Sequence, residues 1–242
     1  MLNLFQHLYI IEVQMQFLMK HIVVLTGAGM SAESGVKTFR DHDGLWEGHD
    51  VMKVASPEGF RQNPELVLDF YNQRRRQLKE VQPNQAHKDI ALLEANHKVT
   101  VITQNVDDLH ERAGSTDVVH LHGELRKVRS TGNPRDIKVW TEDINLGDTC
   151  KKGYQLRPHI VWFGEDVPMM ETAIKICYAA DILIIIGTSM QVYPAASLIH
   201  YVQPDTDIYY IDPRPAVVRN QNIKVIAKTA TEGMKDILDI LK

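Results

Sequence analysis

Six short apolar runs, each bounded by polar or turn residues, constrain the fold of this 242-residue chain more than any other feature. They are HIVVLTG (21–27), KVTVITQN (98–105), DVVHLHG (117–123), DILIIIGT (181–188), DIYYID (207–212) and IKVIAKTA (223–230). Several are continuous rather than alternating, as strands covered on both faces require. Helical patterns lie between them. Residues 57–80 read as a long helix or a helix pair, with Leu66, Phe70 and Leu78 on one apolar stripe. Residues 86–95, 168–180 and 231–241 also read as helices, with Thr231 placed as the N-cap of the last. Strands alternating with helices predict an α/β fold built on a doubly wound parallel sheet.

Two stretches break the alternation. Residues 36–56 carry Gly, Asp, His and Trp without a period and read as a long loop. Residues 124–160 are polar, hold Asn133-Pro134, Gly147-Asp148 and Gly153, and read as a small module inserted into the main sheet. Hydrophobic residues at 44% and charged residues at 24% exclude disorder, collagen and coiled coil. A formal charge of −4 gives no bulk reason to expect nucleic acid as a partner. The two cysteines, Cys150 and Cys177, supply neither a disulfide framework nor a four-cysteine zinc site, and they fit a reducing, cytoplasmic compartment. Residues 1–20 are interrupted by Gln6, His7, Glu12, Gln14 and Gln16. They make neither a signal peptide nor a membrane span, and they read as a leader or a misassigned start, with Met19 or Met15 as the true first residue.

The first apolar run leads directly into Gly27-Ala28-Gly29-Met30-Ser31-Ala32. This satisfies G-x-G-x-x-(G/A) after a strand, where glycines let the backbone approach a pyrophosphate and free N–H groups hold it. A dehydrogenase would continue to a second strand ending in an acidic residue about 20 positions on. RDHDGLWEGHD (40–50) stands there instead. A dinucleotide fits this start, covered by a loop rather than by a second strand. Further along, His120 and His122 are two apart on a strand and share a face. His120 reads as a satisfied core histidine; a neutral His122 can act as a base near neutral pH. No third residue at a supporting spacing makes the pair a metal site.

GAGMSAESGVKTFR (27–40), TQNVDDLHERAG (103–114), HLHGE (120–124), RPHIVWFGE (157–165) and IIGTSMQVYPA (185–195) together resemble the sirtuin family of NAD-dependent protein deacylases. The resemblance spans nearly the whole chain from residue 22. It implies a single catalytic domain over 21–242, with a Rossmann-like core, a small inserted module and a mobile cofactor loop. It implies that Gly27, Ala28, Gly29, Ala32, Phe39, Arg40 and Trp46 belong to the loop over NAD. Gln104, Asn105, Val106 and Asp107 would form the nicotinamide and ribose pocket, and Gly187, Thr188, Ser189, Asp212 and Ala230 the adenosine side. Asp212 stands where many members carry Asn. His122 aligns with the catalytic histidine, with Asn105 beside it. Val161, Phe163 and Gly164 resemble the acyl-lysine tunnel. The implied reaction starts when the acyl oxygen attacks C1′ of the nicotinamide ribose and nicotinamide leaves. His122 then takes a proton from a ribose hydroxyl, and the products are free lysine and O-acyl-ADP-ribose. NAD is consumed as a co-substrate.

Two departures refine this reading. Most sirtuins hold a structural zinc on two CxxC pairs; this chain has no CxxC, so no zinc or other metal is expected. Trp140, Ile144 and Leu146 are then expected to hold the module. Tyr71 and Arg74 in FYNQRRR (70–76) resemble the Tyr-x-x-Arg pair of the desuccinylase-like branch, with Arg75 and Arg76 on a solvated helix face. Succinyl, malonyl or glutaryl lysine is therefore the expected substrate, with acetyl-lysine also turned over, on a protein or peptide and by a monomer. Lys37 stands where many sirtuins have proline. The alternatives are a mono-ADP-ribosyltransferase on the same NAD cleft and a non-catalytic NAD-binding module.

Overall fold

Each of the six apolar runs becomes a parallel strand of one sheet. The structure is a computed structural model that describes residues 19–37, 45–46, 48–216 and 222–241. The expectations for residues 1–18 and for Phe39 and Arg40 lie outside the described residues. The strands run side by side in the order Ile223–Ile226, Asp207–Ile211, Ile182–Ile186, His21–Thr26, Lys98–Thr103 and Val118–His120. Every neighbouring pair is parallel.

The unbroken apolar runs have a direct cause. Alternate side chains of the central strands enter two separate cores. Ile22, Val24, Ile184 and Ile186 face the layer of the helices Gln85–Leu93 and Ala230–Ile240. Val23, Leu25, Leu183 and Ile185 face the helix Met170–Tyr178 and the 3-10 helix Ala195–Tyr201. Each of these aliphatic side chains is removed from water, which is worth about 1.5–3 kcal/mol apiece. Thr229, not Thr231, occupies the N-cap of the final helix. Thr231 instead ties that helix to the glycine loop. Its Oγ1 donates to Glu33 Oε1 (2.6 Å) and its N–H to Glu33 Oε2 (2.9 Å).

The 36–56 stretch is not loop throughout. Leu45–Trp46 pairs with His49–Asp50, and a helical turn spans Val51–Val54, capped by Asp50 Oδ1 on Met52 N–H (2.9 Å). The 57–80 pattern is a pair, Pro57–Gln62 and Pro64–Gln77. Proline at the first helical position disfavours helix in the residue before it, and Ser56 and Asn63 cap the two starts. This pair packs on a three-stranded antiparallel sheet, Ile137–Val139, Gly123–Ser130 and Leu156–Ile160. The second body therefore draws on two stretches of chain, 51–77 and 123–160.

Its interior corrects two expectations. Ile144 is buried with Leu68, Val128, Cys150 and Leu156, and Trp140 packs against them, but Leu146 is exposed. Arg75 is not solvated; it is 1% exposed. Its Nε donates to Leu125 O (2.9 Å) and its Nη1 to Asn72 Oδ1 (2.7 Å). Asn72 in turn bonds both the N–H and the O of Ile144 (2.9 Å each), stitching helix to sheet. Arg76 does reach solvent, beside Asp143 and Asp69. No helix among the described residues is long and apolar enough to cross a membrane.

Candidate active site

The chain runs outward from His21–Thr26 in both directions, so the neighbouring strand Ile182–Ile186 marks the point where strand order reverses. Crevices form beyond the C-terminal ends of strands at such points. A cleft of about 280 Å³ opens there, walled by Gly27 and Gly187 on one side and by Tyr71 and Ile160 of the second body on the other.

Two backbone turns meet at its floor. Gly27 N–H donates to Ile186 O (3.0 Å) and Gly29 N–H to Gly187 O (2.8 Å). A Cβ on Gly27 would lie 2.8 Å from Thr188 Cβ, and one on Gly29 2.7 Å from Gly187 Cα. Gly187 has φ +63. This crowding is why glycine stands at these positions. Among the described residues, the N–H groups of Ala28 and Ser189 meet no backbone or side-chain acceptor, and both residues line the cleft. They are donors placed to receive an anion, as a dinucleotide's pyrophosphate would require. The helix after the loop is only one turn, Gly29–Ala32.

Gln104, Asn105, Val106 and Asp107 follow the strand Lys98–Thr103 and all line the cleft. Asn105 Nδ2 donates to Gly27 O (3.0 Å) and to Ser31 Oγ (3.1 Å), and Ser31 Oγ donates to Asp107 Oδ2 (2.9 Å). Burial pushes the Asp107 carboxyl above the usual carboxylate range, against the pull of its bonds from Leu109 N–H and Ser31. Gln104 Nε2 donates to Thr188 Oγ1 (3.2 Å), joining the two halves of the floor.

The two histidines separate by environment. His120 has both ring nitrogens engaged, Nδ1 at Asn105 O (3.0 Å) and Nε2 at Glu111 Oε1 (2.7 Å). Burial opposes its charge, but Glu111 outweighs burial and holds its pKa above the ordinary value. His122 lines the cleft, and its Nδ1 lies 3.1 Å from Gln104 O. A carbonyl can only accept, so Nδ1 carries the proton and Nε2 is left as a bare base. Burial lowers the His122 pKa, against the Gln104 bond, so the ring is neutral near pH 7.

Opposite lies the strip Val161–Glu165. Val161 N–H donates to His122 O (2.9 Å), and Phe163 N–H to Ala55 O (2.9 Å). Glu165 anchors the strip. Its carboxylate accepts from Arg157 Nη1 (2.7 Å), Arg129 Nη2 (2.7 Å) and Trp162 N–H (2.9 Å). Trp162 Nε1 donates to the Tyr71 hydroxyl (3.0 Å). Phe163 is 43% exposed at the mouth, beside Gly164 with φ +90. Tyr71 lines the cleft itself. Arg74 lies in a smaller recess, with its Cζ 3.5 Å from the Phe70 ring centroid and its Nη1 donating to Phe70 O (2.6 Å). That recess shares Val36, Lys37, Trp46, Val106 and Asp107 with the main cleft.

The structure thus brings together Gly27, Ala28, Trp46, Tyr71, Gln104, Asn105, Val106, Asp107, His122, Val161, Phe163, Gly164, Gly187, Thr188 and Ser189 on one cleft. Gly29 lies beneath its floor, and Ala32 is exposed outside it. Asp212 is buried at the end of its strand and accepts from Arg214 N–H (2.8 Å). Ala230 is buried at the start of the last helix. Ser31, Trp162, Glu165 and Val192–Pro194 line the cleft too, although sequence reasoning assigned them no role. For Ser31 a signal was present, since it lies inside the glycine motif.

The Sir2 family matches residues 27–194. A Helicobacter pylori (strain ATCC 700392 / 26695) protein named NAD-dependent protein deacylase is 59% identical over 221 residues, covering 91% of this chain and 96% of that relative. A Bacteroides thetaiotaomicron protein of the same name is 53% identical over 230 residues, 92% of this chain and 98% of the relative. Among solved structures, a Sir2 homolog–NAD complex superposes with a TM-score of 0.83 at 39% identity, covering 95% and 93% of the two chains. A Sir2–p53 peptide–NAD+ complex superposes with a TM-score of 0.73 at 26% identity, covering 95% and 96%.

Proposed function

The chain belongs to the Sir2 family and is an NAD-dependent protein deacylase, and from that premise we propose that it acts on lysines whose acyl group ends in a carboxylate, succinyl or malonyl above acetyl. NAD, when bound, supplies the ribose carbon that the acyl oxygen attacks and the hydroxyl that receives the acyl group. His122 is the base for that hydroxyl. The single observation that carries this role is its pinned Nδ1, which leaves Nε2 as the acceptor on the cleft wall. Asn105 and Asp107, braced through Ser31, hold the ribose side; Ala28, Gly187, Thr188 and Ser189 hold the phosphates and adenosine. The strip Val161–Gly164 takes the substrate backbone.

The carboxylate reading rests on Tyr71 and Arg74. Tyr71 lines the cleft, and Arg74 lines a recess that opens off it around Trp46, so a phenol and a guanidinium lie on adjoining walls. The second body is held by apolar packing around Ile144 and Cys150, and we propose that it does without a structural zinc. The test is mass spectrometry of matched succinyl-lysine and acetyl-lysine peptides, with and without NAD, following peptide and nicotinamide together. Faster NAD-dependent loss of succinyl, reduced by Arg74→Met far more than loss of acetyl is, supports the proposal. Equal rates on the two peptides refute the preference. Nicotinamide release from intact peptides would indicate ADP-ribosyl transfer instead.

A further inference from the structure

Tyr71 is fully buried, yet it forms part of the cleft wall. A phenol has one proton to give and lone pairs to accept with, whereas an indole N–H only donates. The 3.0 Å contact between Trp162 Nε1 and the Tyr71 oxygen therefore has one sense, with Trp162 donating. That occupies the oxygen from the protein side. Among the described residues nothing accepts the Tyr71 proton. Burial holds the hydroxyl protonated, against the smaller effects of Trp162 and Arg157. A buried donor without an acceptor is costly, and the cost is recovered when a ligand supplies one.

The indole cannot turn away. Arg157 stacks on it with Cζ 3.2 Å from the ring centroid, and Phe60 lies 5.3 Å away, ring to ring. Arg157 is itself fixed by Glu165 and by Ile160 O (2.8 Å). Trp162 N–H donates to the same Glu165 (2.9 Å). The indole N–H is thus aimed by its ring packing and by its backbone together.

We propose that Trp162 is a specificity-determining positioning residue: by donating to Tyr71 it commits the Tyr71 proton to the cleft, where an acyl carboxylate accepts it. An acetyl group brings no such acceptor. This inference rests on the carboxyl-acyl reading above.

The test is steady-state kinetics on succinyl- and acetyl-lysine peptides at saturating NAD, in wild type, Trp162→Phe, Tyr71→Phe and the double variant. Phenylalanine keeps an aromatic ring at the Arg157 stack and deletes the donor together with the pyrrole part of the indole, a packing loss that bears on both peptides alike and that the comparison between them removes. Trp162→Phe is expected to lower kcat/KM for the succinyl peptide about tenfold more than for the acetyl peptide, mostly through KM. In the Tyr71→Phe background the same change should add less than about twofold, because the partner is gone. If the wild type treats both peptides alike, the carboxyl-acyl reading falls and this inference with it. If the wild type prefers succinyl but Trp162→Phe costs both peptides equally, or costs as much without the Tyr71 hydroxyl, only this inference falls. A second readout needs no change at Trp162. Its indole 1H–15N signal, one of three in the chain, should shift on binding succinyl-lysine peptide and much less on binding acetyl-lysine peptide; equal shifts would overturn the proposal.

Discussion

Replacing Glu165 with glutamine should destabilise the protein by about 3 kcal/mol, a magnitude set by its surroundings. Its side chain is 22% exposed, and its carboxylate serves two guanidinium groups, Arg129 and Arg157, whose side chains are 10% and 9% exposed. Breaking a buried ion pair from one side costs about 3–5 kcal/mol, because the partner's charge is left without compensation. Partial access of water to Glu165 places the expected value at the lower end of that range. For a chain of this size each kcal/mol moves Tm by about 2–4 °C, so Glu165→Gln should melt roughly 6–12 °C lower.

The pH dependence gives a second check. Burial opposes the Glu165 charge, but Arg157 outweighs it, and the carboxyl is held below its ordinary value. A depressed folded pKa contributes stability that is complete above the unfolded value and is lost as pH falls through the folded one. The Tm gap between wild type and Glu165→Gln should therefore be full at pH 7 and should close in acid, where wild-type Glu165 also loses its charge. The assay is differential scanning calorimetry of both proteins from pH 7 to pH 3. A Tm difference under about 2 °C at pH 7, or a gap that widens in acid, would refute the reasoning.

Other consequences are open to measurement. The His122 pKa is lowered by burial, so the base is lost only in acid: kcat/KM should be level near pH 7 and fall below the ordinary histidine value of about 6.5. His122→Ala should abolish turnover while leaving NAD binding measurable by calorimetry. Gly187→Ala should weaken NAD binding more than about tenfold and lower Tm, since φ is +63 and the new Cβ would sit 2.5 Å from Gly29 C. Isothermal titration with NAD checks it, and unchanged affinity would remove Gly187 from the floor of the site. Elemental analysis of the pure protein should find less than about one-tenth of a zinc per chain, and its Tm should not move with chelator.

Much of the architecture was legible in the chain, because strands buried on both faces must be apolar at every position. That requirement marked the central strands His21–Thr26, Lys98–Thr103 and Ile182–Ile186, whereas the edge strand Ile223–Ile226 is only partly buried and the helices Leu109–Ala113 and Ala195–Tyr201 left no comparable signal. The glycine loop was legible for a similar reason, since only glycine tolerates the approach of the Gly27–Gly29 turn to Gly187. The motif resemblance singled out His122, Asn105, Asp107, Val161, Phe163 and Gly164, and these residues line one cleft.

Other features depend on partners far away in sequence, and local pattern carries no trace of them. Arg75 sits in a run of three arginines that reads as a solvated face, yet it is buried, with its Nε on Leu125 O, 50 residues on. Ser31 stands inside the glycine motif, but its partner Asp107, 76 positions later, is what gives its hydroxyl a task. Leu146 has the right composition for a core and lies outside it. The Trp162–Tyr71 bond spans 91 residues and joins a strand end to a helix. Periodicity and glycine spacing report what a residue requires of its own backbone and its own layer. Which polar groups satisfy one another is decided only when the sheet and the second body close on the cleft, because a hydrogen bond depends on distance and angle in space rather than on separation along the chain.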